Sequence, residues 1–181
     1  MKIKKSLIPN YITALRILGT VLLAFIKPLS IPFYIVYTIC GISDVLDGIV
    51  ARATKTATDF GARLDSIADL LFYAVMLIKI FPILLLRLPI EIWYIVAAVA
   101  IIRLCSYILA AVKYHRFAAL HTYLNKFTGL LVFTVPYVLT FSISTVFCFV
   151  TSAVAGIASL EELIIHILSK KYNANIKTII R

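Results

Sequence analysis

Five of the eight acidic residues in this 181-residue chain, Asp44, Asp47, Asp59, Asp65 and Asp69, fall within one short stretch whose surroundings are apolar. A carboxylate near the centre of a membrane helix costs roughly 2.5–3.5 kcal/mol on insertion scales. Asp44, Asp47, Asp65 and Asp69 would together cost on the order of 10 kcal/mol if nothing paired with them. Asp44 and Asp47 stand three residues apart and share a helix face, which Gly48, Ala51 and Arg52 continue. Gly61, Asp65 and Asp69 recur every four residues along one face of a following helix. Between them, Thr54-Lys55-Thr56-Ala57-Thr58 suits a polar turn at a membrane surface. Folding back there makes the two helices antiparallel, and Asp47 and Asp65 then meet roughly 10 Å inside the turn at a rise of about 1.5 Å per residue. Four converging oxygen ligands favour hard divalent ions, Mg²⁺ or Mn²⁺. Without a cation, carboxylates this close would share protons rather than all ionise. Gly48, Ala51 and Gly61 leave room on the same face for a ligand to lie against the backbone.

The elements that carry these residues belong to a membrane protein. The chain is 62% hydrophobic, with a mean hydropathy of +1.03, which excludes a soluble globular domain. A net charge of +10 is better matched to membrane orientation and anionic lipid than to nucleic acid. Cys40, Cys105 and Cys148 each sit in an apolar run and read as small buried hydrophobes, with no disulfide or zinc spacing. Spans are expected at about Tyr11 to Ile26, Ile31 to Ala53, Ala57 to Leu85, Ile90 to Val112, Leu120 to Phe141 and Ser144 to Leu168. Breaks fall at Lys27-Pro28 and at Arg87-Leu88-Pro89. The first span follows Pro9-Asn10, which suits a helix start, and no A-x-A-like cleavage site follows it. The fold expected is therefore all-α, an integral membrane bundle of six transmembrane helices forming one domain over residues 1–181. Residues 1–9 would be a cytoplasmic juxtamembrane segment and 170–181 a basic cytoplasmic tail. Six spans place both termini on one side, together with Arg52, Lys55, Lys113 and Arg116. By the positive-inside rule that side, with the aspartates near it, is cytoplasmic.

The pattern D-x-x-D-G-x-x-A-R, eight residues, then G-x-x-x-D-x-x-x-D is filled by Asp44, Asp47, Gly48, Ala51, Arg52, Gly61, Asp65 and Asp69. It resembles, position for position, the signature of the CDP-alcohol phosphatidyltransferase family. The Pro9-Asn10-x-x-Thr13-x-x-Arg16 start is similar to that of bacterial members acting on CDP-diacylglycerol. The resemblance implies two Mg²⁺ or Mn²⁺ ions held by Asp44, Asp47, Asp65 and Asp69, with Asp69 also the general base toward the acceptor hydroxyl. It implies a nucleotide and pyrophosphate pocket shaped by Gly48, Ala51, Arg52 and Gly61, release of CMP, and a homodimer in the cell membrane. It also implies that Arg103 and Lys126 bind an acceptor's phosphate; with Arg63 and Arg116 they would line an anion pocket beside the metals, as such groups can.

The acceptor is written less plainly. Phosphatidylglycerophosphate synthases show Arg-Glu and Gly-Lys-x-Lys-Thr where this chain has Arg103-Leu104 and Asn125-Lys126-Phe127-Thr128. Arg103-Leu104-Cys105-Ser106-Tyr107 is similar to a run in bacterial phosphatidylserine synthases. The expected reaction is phosphatidyl transfer from CDP-diacylglycerol to a small polar alcohol, glycerol 3-phosphate first and serine second. A CDP-choline or CDP-ethanolamine phosphotransferase would reverse the lipid's role. A divalent-cation transporter is the alternative from another class, but such sites usually lie at the midplane on broken, repeated helices. Glu162 and His166, one turn apart, read as a local pair at the membrane interface beside Glu161, and His115 and His121 as solvated or interfacial.

Overall fold

A computed structural model describes residues 8–54, 59–115, 120, 122–169, 172 and 176–178. Six helices make up all the regular structure among them: α1 (Ile8–Phe25), α2 (Ile31–Thr54), α3 (Asp59–Arg87), α4 (Ile90–Tyr114), α5 (Tyr123–Val138) and α6 (Ser144–Leu168). The turn expected after Thr54, the basic loop residue Arg116 and His121 lie outside the described residues. The third and fifth helices are displaced by a few residues from their expected bounds, because local punctuation decides the ends. The Ser30 hydroxyl accepts from the Phe33 amide at the start of α2 (3.4 Å), and Pro32 sits in the first turn, where its missing N–H is not needed. Thr122 caps α5 by accepting from the Asn125 amide at 3.2 Å, which trims the helix from the expected Leu120 start. Pro89 precedes α4, and His115 ends it in the left-handed region at φ 54°.

Three stretches of 25 residues, Arg63–Arg87, Ile90–Tyr114 and Ser144–Leu168, are long and apolar enough to cross a membrane. At about 1.5 Å per residue each exceeds the roughly 30 Å hydrocarbon layer. The apolar parts of α1 and α2, Asn10–Phe25 and Ile31–Leu46, are shorter. The outward positions are apolar as well: Phe25, Leu86, Tyr94 and Val112 are each at least 70% exposed. Water does not tolerate helices that are greasy all round, and lipid does.

The chain divides into two compact units, Met1–Leu86 and Arg87–Arg181. In the first, α1 packs along α2. Their contact is made close by Gly19, where an added Cβ would stand 2.8 Å from the Cys40 sulfur. Leu23, Phe33 and Cys40 are fully buried here. A stack from Phe33 through Tyr37 (5.7 Å) to Phe72 (5.5 Å) carries the packing from α2 to α3. Lys79, inside α3, donates to the Ile26 carbonyl past the end of α1 at 3.1 Å. That contact gives both a half-buried ammonium and a backbone acceptor past the helix end a partner.

In the second unit α4 and α5 both pack on α6. The inner face of α6 is rich in small residues, among them Cys148, Thr151, Ser152, Ala158 and Ser159, which lets neighbouring backbones approach in a membrane. Val99 stands against Gly156, Arg103 against Ser159 and Lys113 against His166, so α4 and α6 run parallel. The Lys113 ammonium donates to the carbonyls of His166 and Ile167, both at 2.8 Å, and so caps the negative end of α6.

Candidate active site

Asp44 comes from α2, and Asp65 and Asp69 from successive turns of α3. One carboxylate oxygen from each lies within 4.8 Å of the others. All three side chains are a little under half exposed, so the cluster opens to one side of the unit rather than sitting sealed in it. Hard oxygen donors gathered at this spacing suit Mg²⁺ or Mn²⁺, which bind carboxylates and keep waters in their remaining positions. The donor set therefore fits the expected metal.

A fourth side chain completes the cluster. Arg16 reaches in from α1, although only 3% of it is exposed. Its Nη1 pairs with Asp44 and, at 3.1 Å, with Asp69; its Nη2 pairs with Asp65. A buried guanidinium is tolerable only when opposite charges surround it, and three carboxylates do so here. The arginine is held from behind as well. Its carbonyl accepts from Thr20 Oγ1 at 2.8 Å and from Cys40 Sγ at 3.8 Å, so the close α1–α2 contact at Gly19 sets where the guanidinium arrives. Thr13, Arg16 and Thr20 are all buried and form a polar stripe at positions i, i+3 and i+7 of α1. That stripe, with the lone charge of an otherwise apolar helix, is the signal in the sequence that marks Arg16 as part of the site. The motif spacing does not include it.

The other expected site residues are placed unevenly. Asp47, Gly48, Ala51 and Arg52 lie on α2, but the side chains of Asp47, Ala51 and Arg52 are outside the described residues. Gly61 is in the first turn of α3 and partly buried, and Arg63 is exposed. In the second unit Lys126 is exposed near the start of α5. Arg103 is engaged: it contacts the Glu162 carboxylate at 3.6 Å, the Ser159 hydroxyl at 3.2 Å and the Asn125 amide oxygen at 2.9 Å.

Glu162 is fully buried and His166 nearly so, and the two form the expected pair one turn apart, with 3.9 Å between Glu162 Oε1 and His166 Nε2. Glu162 accepts from the Leu120 amide at 3.0 Å and from Asn125 Nδ2 at 2.9 Å, tying the chain ahead of α5 to α6. Burial is stable because these donors come with Arg103 as a counter-charge. Glu161 is buried too and accepts from Thr178 at 3.0 Å. Cys40 and Cys148 are buried as expected, whereas Cys105 is exposed on α4, because the inner face of that helix is formed by Ile92, Ser106 and Ala110.

A sequence model of the CDP-alcohol phosphatidyltransferases matches residues 6–167. The chain belongs to that family. Its match takes in the Arg16 helix, the aspartates and the Glu162 network alike. The chain is similar to a CDP-diacylglycerol–serine O-phosphatidyltransferase of Methanocaldococcus jannaschii, at 40% identity over 38% of this chain and 31% of that one. It is also similar to CDP-diacylglycerol–glycerol-3-phosphate 3-phosphatidyltransferases of Haemophilus influenzae and Pseudomonas fluorescens. The first is 37% identical over 40% of this chain and 42% of the relative. The second is 40% identical over 39% of each. The matched stretches thus span less than half the length of these relatives. No solved structure matches the chain.

Proposed function

We propose that the protein transfers a phosphatidyl group from CDP-diacylglycerol to the hydroxyl of a small polar acceptor, glycerol 3-phosphate, and releases CMP. The observation that carries this is the convergence of Asp44, Asp65 and Asp69 in a chain of this family. These three, with Asp47, would hold two Mg²⁺ or Mn²⁺ ions, which when bound supply counter-charge to the diphosphate and to the departing CMP. Gly48, Ala51, Arg52 and Gly61 shape the nucleotide pocket. Asp69 takes the proton from the acceptor hydroxyl as the oxygen attacks the lipid-side phosphorus. The bond from that phosphorus to the CMP oxygen breaks, and the products are a phosphodiester lipid and CMP. A site at the cytoplasmic face is supported by the basic residues that six spans would gather on one side. Family resemblance supports a homodimer of six-span protomers.

Arg103, Arg116, Lys126 and Arg63 are the residues proposed to meet the acceptor phosphate. The contact between Arg103 and Glu162 favours a second reading for the acceptor alone, because a guanidinium already neutralised holds a further phosphate less well. Serine has no phosphate, and the Methanocaldococcus jannaschii relative is named for it. The test is CMP release by purified protein from CDP-diacylglycerol, with Mg²⁺ or Mn²⁺, against glycerol 3-phosphate, serine and inositol phosphate in turn. Release with glycerol 3-phosphate supports the first acceptor; release with serine supports the second. Silence with all of them, while CDP-choline or CDP-ethanolamine is consumed with diacylglycerol, would reverse the lipid's role. Silence throughout with no nucleotide binding would bring a cation-transport site forward.

A further inference from the structure

We propose that Arg16 is a built-in counter-cation that gathers the metal-binding carboxylates before any ion arrives and then competes with the ion for them. The inference rests on the metal-site reading of Asp44, Asp65 and Asp69. Arg16 contacts the same oxygen, Oδ1, on each of the three carboxylates. Ionised carboxylates whose oxygens lie within 4.8 Å of one another repel one another, and partial exposure only lessens this. A planar guanidinium with donors along its edges can bond several of them together. Arg16 is nine-tenths or more buried and held at its backbone by Thr20 and Cys40. It is therefore a fixed part of the cluster, unlike a surface arginine drawn in by chance.

A divalent ion taking those carboxylate oxygens meets the guanidinium in two ways. It must displace at least some of the existing ion pairs, and it must tolerate a like charge at a few ångströms' distance. Both weaken its binding relative to the same carboxylates alone. Arg16 in this reading is a positioning residue with a cost: it keeps the site assembled when metal is absent and raises the metal concentration at which the site fills.

The test uses the full chain purified in detergent micelles, titrated with Mn²⁺ and followed by the electron spin resonance of free Mn²⁺, alongside thermal unfolding with and without Mn²⁺. Arg16→Gln is expected to lower the metal-free unfolding temperature and to tighten Mn²⁺ binding by about tenfold or more. Saturating Mn²⁺ should then close much of the gap in unfolding temperature. Arg16→Lys, which keeps the charge and loses the fork, should bind Mn²⁺ with an affinity between the two, and it carries the test if Arg16→Gln does not fold. Unchanged or weaker Mn²⁺ binding in the variant that folds would overturn the proposal and make Arg16 a support of the loaded site. Asp65→Asn separates this failure from that of the underlying reading. If wild type binds no more Mn²⁺ than Asp65→Asn, the aspartates are not a metal site and the inference falls with it.

Discussion

Gly19→Ala is the most economical way to disturb the site without touching it. The added Cβ would stand 2.8 Å from the Cys40 sulfur and 3.7 Å from a Val36 methyl. Comfortable non-bonded separations are roughly 3.5–4.0 Å, so α1 and α2 must part by about 1 Å or Cys40 must leave its buried rotamer. Overpacking of this kind costs about 1–3 kcal/mol, and the better helix propensity of alanine returns about 1 kcal/mol. The net loss expected is therefore about 0–2 kcal/mol. The effect on activity should be larger. Arg16 lies one turn before Gly19, and a shift of α1 away from α2 would draw its guanidinium off Asp44, the carboxylate that α2 supplies. Displacements of this size at a catalytic cluster can cost about a hundredfold, and a tenfold to hundredfold fall in the rate of CMP release is expected here. The assay pairs thermal unfolding in detergent with CMP release, for Gly19→Ala and for Gly19→Ala with Cys40→Ala. Removing the sulfur should restore most of the rate. Gly129→Ala, with nothing within 4 Å of the new carbon, should change little. If Gly19→Ala matched wild type in both readouts, the close α1–α2 approach would not position Arg16.

Asp69→Asn should abolish CMP release yet leave cytidine nucleotide binding measurable by calorimetry; equal loss of both would count against Asp69 as the base. Glu162→Ala should lower stability by about 3–5 kcal/mol, because it leaves Arg103 without its carboxylate and frees the Leu120 and Asn125 donors. Glu162→Gln keeps an acceptor and should cost less, which thermal unfolding of the two variants would show. Lys113→Met removes the cap on the last carbonyls of α6 and should cost about 1 kcal/mol, with faster amide exchange confined to the end of that helix.

How much of this was legible in the sequence depended on how far apart the partners lie. The aspartate motif was legible because its spacing encodes the geometry: residues four apart on α3 and a folded-back α2 are enough to bring Asp44, Asp65 and Asp69 together. Arg16 was marked by the polar stripe of α1, but its pairing with those carboxylates was not legible, because it depends on the lateral register of α1 against α2, which Gly19 and Cys40 set. The burial of Glu162 was not legible for a similar reason. Helical periodicity paired it with His166, four residues on, while the contacts that make it a core residue come from 37 and 42 residues earlier. The helices themselves were readable from apolar length and from Pro28 and Pro89, although the side that each presents to its neighbours was not. Cys105 shows that difference, standing exposed on α4 one position before the buried Ser106.

The network around Arg103 also bears on how the protein is made. Arg103 leaves the ribosome 22 residues ahead of Asn125 and 56 ahead of Ser159, with Glu162 later still. At about 5–20 residues per second, the guanidinium waits roughly 3–11 seconds for the partners on α6 to be synthesised. The remainder of α4 is apolar enough to carry one arginine into the bilayer alone, so the helix can insert on schedule but stays electrically incomplete. Until α6 is made, Arg103 has only Asn125 of α5 among these partners; the last helix supplies both its hydroxyl and its carboxylate.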